Sequence, residues 1–487
     1  MRALKKLASQ TAYYGISSIL GRMLNYALVP LHTRVLTSQQ DYGIIGELYS
    51  YVTFLNILFL YGLETTFFRF ASENKSDNNI YNKTFSSILF SSILFTAGIF
   101  LFATPINNFL SIGVPNNLYR IEYLYIFALI LAFDAIAAIP FAKIRLDNRP
   151  LKFASIKIAN ISINVLLNIF FLVLAPILNL TFYSSDDTVL YILLSNLIAS
   201  FATLIFLYQE LIIVKITWIW KEMKPLYVYA IPLMFAGLAG MTNETLDRIL
   251  LKYFLPGTLE ERLSQIGIYN AAYKLSIFMT LAVQAFRMAA EPYFFSINKN
   301  ADSKVVYAKV MNYFVLVCSL IFLGVSTHLN ILAYLLGENY RSGLEVVPVL
   351  LMANLFLGVY MNLSIWYKLV DKTIYGLYIT IIGAVLTVAL NILWIPMYGY
   401  MGSAYATLIC YFVMTVFGYL FGQKYFTVPY SLKTIFSYIS IALMLFIVSK
   451  TINDYFIANI LLKQIIQSFV FVLFGVYALM QFKGAKA

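Results

Sequence analysis

The sequence predicts an all-α polytopic membrane protein with about fourteen transmembrane helices, arranged as two pseudo-symmetric six-helix bundles plus two C-terminal helices. First, the 487-residue chain is 61% hydrophobic and only 11% charged, whereas soluble domains are about 25% charged. Second, apolar runs of about 20 residues, the length of a membrane-spanning helix, recur along the whole chain. Third, the sequence repeats itself weakly at an offset of about 223 residues.

Fourteen apolar segments are long enough to cross a bilayer as helices. They are 11–36, 42–69, 84–104, 120–142, 153–178, 188–214, 226–252, 265–295, 305–330, 345–367, 374–396, 400–423, 432–449 and 456–481. The first segment is expected to be a retained span, because it contains Arg22 and lacks the small-residue cleavage site of a signal peptide.

Loop charges orient these spans. With the N-terminus in the cytoplasm, 23 of the 34 Lys and Arg residues fall on the cytoplasmic side and seven on the other. Cations near a span end are counted with the adjacent side, and the remaining four, Arg22, Arg248, Lys274 and Arg287, are assigned to the membrane interior. Because cytoplasmic loops are enriched in Lys and Arg, both termini are predicted to be cytoplasmic.

Three pairs of segments carry the internal repeat. They are VLLNI (165–169) with VALNI (388–392), HTRVL (32–36) with LDRIL (246–250), and DYGIIG (41–46) with QIGIYN (265–270). Each repeat contains six spans, so both halves enter the membrane in the same orientation, and a ligand site is expected at their interface. The predicted domains are an N-terminal bundle (1–214), an interfacial cytoplasmic linker (215–225), a C-terminal bundle (226–426) and two extra helices (427–487).

Other classes of function are disfavoured. The net charge of +12 does not indicate nucleic-acid binding, because the basic residues are scattered over many loops. Cys318 and Cys410 both fall in apolar runs, so neither a disulfide framework nor a metal site is predicted. The sequence has no phosphate-binding GxxxxGK[ST] loop and no nucleophile motif. We therefore expect neither an enzyme nor a cofactor.

Ionisable residues inside the spans are the candidate functional residues, because a charge at mid-membrane costs about 2.5–3.5 kcal/mol on insertion scales. The candidate substrate-binding cations of a central cavity are Arg22, Arg248, Lys274 and Arg287. The candidate ion-coupling or charge-balancing carboxylates are Glu47, Asp134, Glu244 and Asp247, with H⁺ or Na⁺ as the coupling ion.

Helical spacing separates these candidates. Glu244, Asp247 and Arg248 share one helix face by their three- and four-residue spacings, and Asp247–Arg248 could equally be a structural ion pair. Lys274 and Arg287 are 13 residues apart, which places them about 220° apart on a straight helix. We therefore favour Lys274 for the cavity and expect Arg287 to pair with Glu291 or with a neighbouring helix.

Two stretches carry a resemblance to a known family. The sequence resembles polysaccharide-transport flippases in two places. The first, near the start, is VPLHTRVLTSQQDYGIIGELYSYVTFLNILFLYGLETTFFRF. The second, in the second half, is LDRILLKYF followed by IGIYNAAYKLSIF. These flippases belong to the multidrug/oligosaccharidyl-lipid/polysaccharide exporter superfamily. The matching positions are Arg34, Tyr42, Gly43, Gly62, Arg69, Asp247, Arg248, Gly267, Tyr269, Lys274 and Leu275.

The resemblance implies two six-helix bundles in a V shape that work by alternating access in the bacterial cytoplasmic (inner) membrane. It implies an undecaprenyl-diphosphate-linked oligosaccharide as substrate, moved to the periplasmic leaflet for O-antigen, capsule or exopolysaccharide synthesis. Lys274 falls where the peptidoglycan-precursor flippases carry a basic residue. Membrane lipids, the polysaccharide polymerase and glycosyltransferases are the expected partners.

Three alternatives stay open at this stage. A peptidoglycan-precursor flippase would also need cavity cations, and an ion-coupled multidrug antiporter of the same superfamily would use carboxylates such as Glu47 and Asp134. A scaffold that holds glycan synthases without transporting anything is the third.

Overall fold

The computed structural model describes residues 23, 26–36, 38–71, 78–111, 119–297, 302–455 and 459–484, and all their regular secondary structure is helical. The long helices are α1 (Gln39–Leu60), α2 (Leu63–Ala71), α3 (Asn79–Leu101), α4 (Ile121–Leu146), α5 (Pro150–Ile169), α6 (Thr188–Phe206), α7 (Trp220–Phe254), α8 (Leu259–Lys274), α9 (Ile277–Ile297), α10 (Ser303–Thr327), α11 (Val346–Leu363), α12 (Ile374–Tyr398), α13 (Tyr400–Tyr425), α14 (Leu432–Tyr455) and α15 (Ile460–Gly484).

These helices confirm the predicted fold class. Within the described residues, twelve helices are long and apolar enough to cross a membrane, or thirteen when the bent pair α8–α9 counts as one more span. Most of the first predicted span, 11–36, lies outside the described residues, and its described part is helical at 26–35.

Contacts divide the chain into unit 1, residues 1–267, and unit 2, residues 268–487. Helix α7 groups with unit 1 because it packs against α1 and α2. The boundaries of the four predicted domains, which rest on the repeat, stay a prediction.

Each unit has its own apolar core. In unit 1, Phe59 and Phe67 pack with Tyr81 and Ile139, and all four side chains are buried. In unit 2, Tyr411 and other side chains of α13 pack against α11 and α12. Long apolar helices that bury one face on each other and leave the other to lipid form bundles of this kind.

The second predicted span, 42–69, is broken between α1 and α2. Tyr61 (φ 32°) and Gly62 (φ 81°) lie in the left-handed region, which glycine adopts at low cost. A Cβ at Gly62 would lie 2.5 Å from the Ala230 backbone oxygen. Only glycine therefore lets α7 approach this break so closely.

The predicted eighth span, 265–295, is also broken, which corrects the straight-helix argument for Lys274 and Arg287. Helix α8 ends at Lys274, α9 begins at Ile277, and the two are bent by 49°. The Ser276 hydroxyl donates to the Tyr273 carbonyl over 2.7 Å, a local bond that competes with regular helix bonding. The angle of about 220° holds only for an unbroken helix.

One repeat match also appears in the side-chain contacts. Asn168, in α5, donates to the carbonyl four residues earlier and contacts His32 Nε2 through Oδ1 over 2.8 Å. Asn391, in α12, also donates to the carbonyl four residues earlier and accepts from Ser403 over 2.6 Å. The two asparagines are equivalent in VLLNI and VALNI and are both buried, in agreement with the predicted repeat.

Candidate functional site

Charged residues inside the described helices form three groups. We describe the position of each group relative to the membrane sides that the loop charges predict. The outer end of a helix is the end that those charges predict to lie outside the cytoplasm, and the inner end is the opposite one. Unit 1 has a buried charged cluster near the outer ends and a charged cavity deeper in the bundle. Unit 2 has a charged pocket near the inner ends.

The outer cluster of unit 1 is centred on the Lys252 ammonium, near the end of α7. Lys252 Nζ lies 2.9 Å from Glu47 Oε1 of α1, 2.8 Å from the Leu110 carbonyl oxygen and 3.2 Å from the Tyr119 hydroxyl. An ammonium has three N–H donors, so each donor of Lys252 has an acceptor. The cluster therefore ties α1, α7 and the segments around Leu110 and Tyr119 into one hydrogen-bonded unit.

Glu47 is as well satisfied as its partner. Its side chain is fully buried, and Lys252 is 4% exposed. The Tyr119 hydroxyl donates to Glu47 Oε2, and burial, followed by the Glu47 charge, raises the pKa of Tyr119 above its ordinary value. Tyr119 therefore stays a protonated donor. A buried ion pair with both partners fully hydrogen-bonded avoids most of the penalty for removing charges from water.

Close to this cluster, α1 and α8 cross at two glycines. A Cβ at Gly43 would lie 2.0 Å from the Leu263 carbonyl oxygen, and a Cβ at Gly267 would lie 2.1 Å from the Gln39 carbonyl oxygen. Small residues allow helix backbones to approach this closely in membranes. Gly43 and Gly267 are also equivalent in DYGIIG and QIGIYN, so the repeat places matching glycines on both sides of one contact.

The charges of GMTNETLDRILL (240–251) lie one to two turns from Lys252 on α7. Arg248 Nη1 donates to Asp247 Oδ1 over 3.0 Å and to the Glu244 carbonyl oxygen over 3.1 Å. Asp247 and Arg248 are buried, whereas Glu244 is exposed. The predicted pairing of Asp247 with Arg248 is therefore present, and Glu244 contributes its backbone oxygen to Arg248.

A cavity of about 350 Å³ in unit 1 contains a second set of charges. Two carboxylates, Glu64 and Asp134, and two cations, Arg145 and Lys157, line it, so its formal charge is zero. Arg145 is hydrogen-bonded to Glu64. Asp134 and Lys157 are both exposed by their surface area, and they line the cavity. Polar side chains of α5 and α6, among them Asn160 and Thr203, complete its wall.

We predict that the charge balance of this cavity matters for folding and for the transport that the family resemblance implies. Asp134→Asn removes one of the two carboxylates near Lys157, so the apparent Tm should fall, as it should for Lys157→Met. The double variant removes both charges and should restore most of the Tm. If Asp134 carries the coupling proton or sodium ion, export should stay at least about tenfold reduced in the double variant. A double variant with normal export would show that Asp134 has no coupling role.

The structure places the remaining predicted cations as follows. Arg22 lies outside the described residues. Lys274 is half-buried at the last turn of α8. Arg287 Nε lies 3.8 Å from Glu291 Oε2, so the predicted pair exists, and Lys368 Nζ lies closer to the same carboxylate, at 2.6 Å from Oε1.

Sequence reasoning missed two of the charges that matter most. The loop-charge count assigns Lys157 and Lys252 to the two sides of the membrane, because each lies near the end of its predicted span, but both lie inside helices, α5 and α7. Glu47 and Lys252 are 205 residues apart, so no helical spacing connects them. One sequence signal could have indicated these partners. Glu47 and Asp134 have no cation three or four residues away on their own helices, so each must find its countercharge on another helix.

No cluster of three or more His, Cys, Asp or Glu side chains that could hold a metal ion occurs in the part of the chain that the structure describes.

The fold is similar to that of solved membrane transporters. Lipid II flippase MurJ, in an inward closed conformation, matches with a TM-score of 0.74 at 16% identity, over 95% of this chain and 97% of that chain. An inward-facing multidrug resistance MATE family transporter of the MOP superfamily matches with a TM-score of 0.65 at 14% identity, over 83% and 94%. The Vibrio cholerae MATE transporter VcmN, in the bent form, gives 0.56 at 14%, over 89% and 97%.

The long apolar helices and the similarity to solved transporters define the class of protein. It is a polytopic membrane protein with the all-helical fold of the MurJ and MATE structures. Residues 7–298, more than half of the chain, match the family model described as polysaccharide biosynthesis protein. The chain belongs to this family. No curated protein matches the sequence. The resemblance to polysaccharide-transport flippases is confirmed at the level of family and fold.

Proposed function

We propose that the protein is a flippase for undecaprenyl-diphosphate-linked oligosaccharides. It would move them from the cytoplasmic to the outer leaflet of the bacterial inner membrane for O-antigen, capsule or exopolysaccharide synthesis. One observation carries the proposal: the polysaccharide biosynthesis protein family model matches a chain that is similar in fold to the Lipid II flippase MurJ over 95% of its length.

The charges inside the helices support this assignment. A diphosphate headgroup needs cationic partners when it leaves water, because an uncompensated charge in a medium of low polarity is costly. Arg22, Arg248, Lys274 and Arg287 are our candidates for that role. Both termini would be cytoplasmic, and a polymerase and glycosyltransferases would act before and after the flippase.

Alternating access needs an outer end that closes and opens. The outer cluster and the Gly43–Gly267 crossing hold the outer ends of α1, α7 and α8 together. We propose that these contacts form the closed state of the outer end, and that a step driven by substrate or ion separates them. The charged cavity around Asp134 would be the coupling site for H⁺ or Na⁺.

Deleting the gene in its source bacterium tests the substrate. The proposal predicts loss of the surface glycan and accumulation of lipid-linked repeat units that are inaccessible from the periplasm. The wild-type gene should restore both, and the Lys274→Ala variant should insert normally without restoring either.

Two further assays of the same gene separate the alternatives. A peptidoglycan-precursor flippase would instead rescue cells depleted of their own lipid II flippase. A multidrug antiporter would raise tolerance to cationic dyes and leave the glycan unchanged. Either result would overturn the proposed substrate.

A further inference from the structure

Unit 2 contains a pocket near the inner ends of α9 and α11 that the fold alone does not explain. It has a volume of about 160 Å³, roughly ten times the minimum needed to hold one water. We call it the inner pocket. Its polar lining includes Arg287, Glu291, Asn362, Ser364, Tyr367 and Lys368.

Asn362 is the first sign that this pocket receives a ligand. The residue is 3% exposed, and neither its side-chain nitrogen nor its side-chain oxygen has a hydrogen-bond partner among the described residues. A buried polar group without a partner costs about 1–3 kcal/mol. A polar ligand in the pocket would satisfy the amide.

The second sign is the incomplete pairing of Arg287. Its side chain is 56% exposed, and its nearest carboxylate oxygen, on Glu291, is 3.8 Å from Nε, too far for a hydrogen bond. In the described part of the chain its guanidinium makes no other ion pair. Arg287 is therefore available to bind an acceptor with two oxygens.

The charges of the pocket are unequal. Among the described residues of the lining, Glu291 is the only carboxylate, and it faces both Arg287 and Lys368, whose Nζ is 2.6 Å from Glu291 Oε1. Two cations sharing one carboxylate leave a formal charge of +1. Glu291 is about one-third exposed, so its side chain has room to move away. The net positive charge of the pocket suits an anion.

We propose that the inner pocket binds a phosphate group, and that Glu291 occupies the two cations until the phosphate displaces it. Arg287 would bind two phosphate oxygens, the geometry in which its planar guanidinium is strongest. Lys368 and the Asn362 amide would donate to the remaining oxygens. Lys368 would exchange one anionic partner for another, and Arg287 would gain the close partner that it lacks.

The identity of the phosphate rests on the proposed function. For a flippase loading from the cytoplasmic leaflet, the phosphate is the diphosphate of the lipid-linked substrate, captured at the inner end before the translocation step. The same chemistry would also recognise free pyrophosphate or the headgroup of an anionic phospholipid, so the test must separate these sources.

Binding to purified full-length protein in nanodiscs of zwitterionic lipid provides the test. The probes are farnesyl diphosphate, inorganic pyrophosphate, and nanodiscs that contain phosphatidylglycerol. Farnesyl diphosphate should bind, pyrophosphate should compete with it, and phosphatidylglycerol should not. Arg287→Ala and Asn362→Leu should each weaken binding about tenfold or more.

Glu291→Gln distinguishes a ligand site from a structural ion pair. Removing the competing carboxylate should tighten farnesyl diphosphate binding about three- to tenfold, which loss of a purely structural pair would not do. Glu338→Gln, in an exposed pair with Arg341 of the same unit, is the control and should leave affinity unchanged. Unchanged or weaker binding in Glu291→Gln, or displacement of the probe by phosphatidylglycerol, would overturn the proposal.

This test is independent of the export assay. Diphosphate binding that depends on Arg287, in a protein whose deletion leaves the glycan intact, would retain the pocket and reject the proposed function. Loss of glycan on deletion, with no binding at the pocket, would do the reverse.

Discussion

Replacing Gly43 by alanine is expected to reduce glycan export about tenfold or more and to lower the apparent Tm of the purified protein. The added Cβ would lie 2.0 Å from the Leu263 carbonyl oxygen, so the backbones of α1 and α8 would have to separate. Overpacking of this kind costs about 1–3 kcal/mol, and 1.4 kcal/mol changes an equilibrium about tenfold. Because the contact holds the outer ends together, the variant should spend more time open to the outside.

Two further variants test whether the effect is specific to this helix crossing. Gly267→Ala should behave in the same way, since its Cβ would lie 2.1 Å from the Gln39 carbonyl oxygen. Gly98→Ala, in α3, is the matched control, because a Cβ there would have no described atom within 4 Å. Alanine also favours helix over glycine, so the control should keep or slightly raise the Tm. Equal export in Gly43→Ala and Gly98→Ala would show that the crossing is not needed for transport.

Replacing Lys252 by methionine is expected to be the most destabilising single change in the outer cluster. It would leave the fully buried Glu47 carboxylate without its cation, and breaking a buried pair in this way costs about 3–5 kcal/mol. The outer ends should then open. Leu263, which is fully buried, can report this: a Leu263→Cys variant should react with an external, impermeant maleimide only when Lys252 is replaced.

The chain offers clean controls for this experiment. The native cysteines, Cys318 and Cys410, are buried and should give little background labelling. Glu47→Gln combined with Lys252→Met removes both charges, so it should recover most of the stability that Lys252→Met loses. Glu338→Gln breaks an exposed pair, which is typically worth under about 1 kcal/mol. Equal labelling of Leu263→Cys with and without Lys252 would contradict a closing role for the cluster.

Much of the fold was predictable because membrane helices are specified by local sequence. Apolar runs and loop charge predict the spans and their alternation, and an offset of 224 residues pairs Gly43 with Gly267, which lie at one helix crossing in the structure. The four-residue spacing of Arg287 and Glu291 likewise predicted their pair. Each of these signals is either local in sequence or a consequence of the internal repeat.

The rest of the site could not be predicted, because it depends on which helices pack together. Glu47 and Lys252 form an ion pair although they are 205 residues apart in the sequence. Lys368 donates to Glu291 from a different helix. The break between α8 and α9 falls at Leu275 and Ser276, where the sequence has neither proline nor glycine. A hydroxyl bonded to the backbone, together with tertiary packing, bends the chain there.

The most direct test of flippase activity is leaflet transfer by the purified protein in liposomes. Undecaprenyl-diphosphate-linked oligosaccharide from the deletion strain would be placed in the inner leaflet and detected outside by a glycosidase that cannot cross the membrane. We expect wild-type protein to expose the oligosaccharide and the Lys252→Met variant to be strongly impaired. No exposure above protein-free liposomes, under proton or sodium gradients of either direction, would contradict a flippase function.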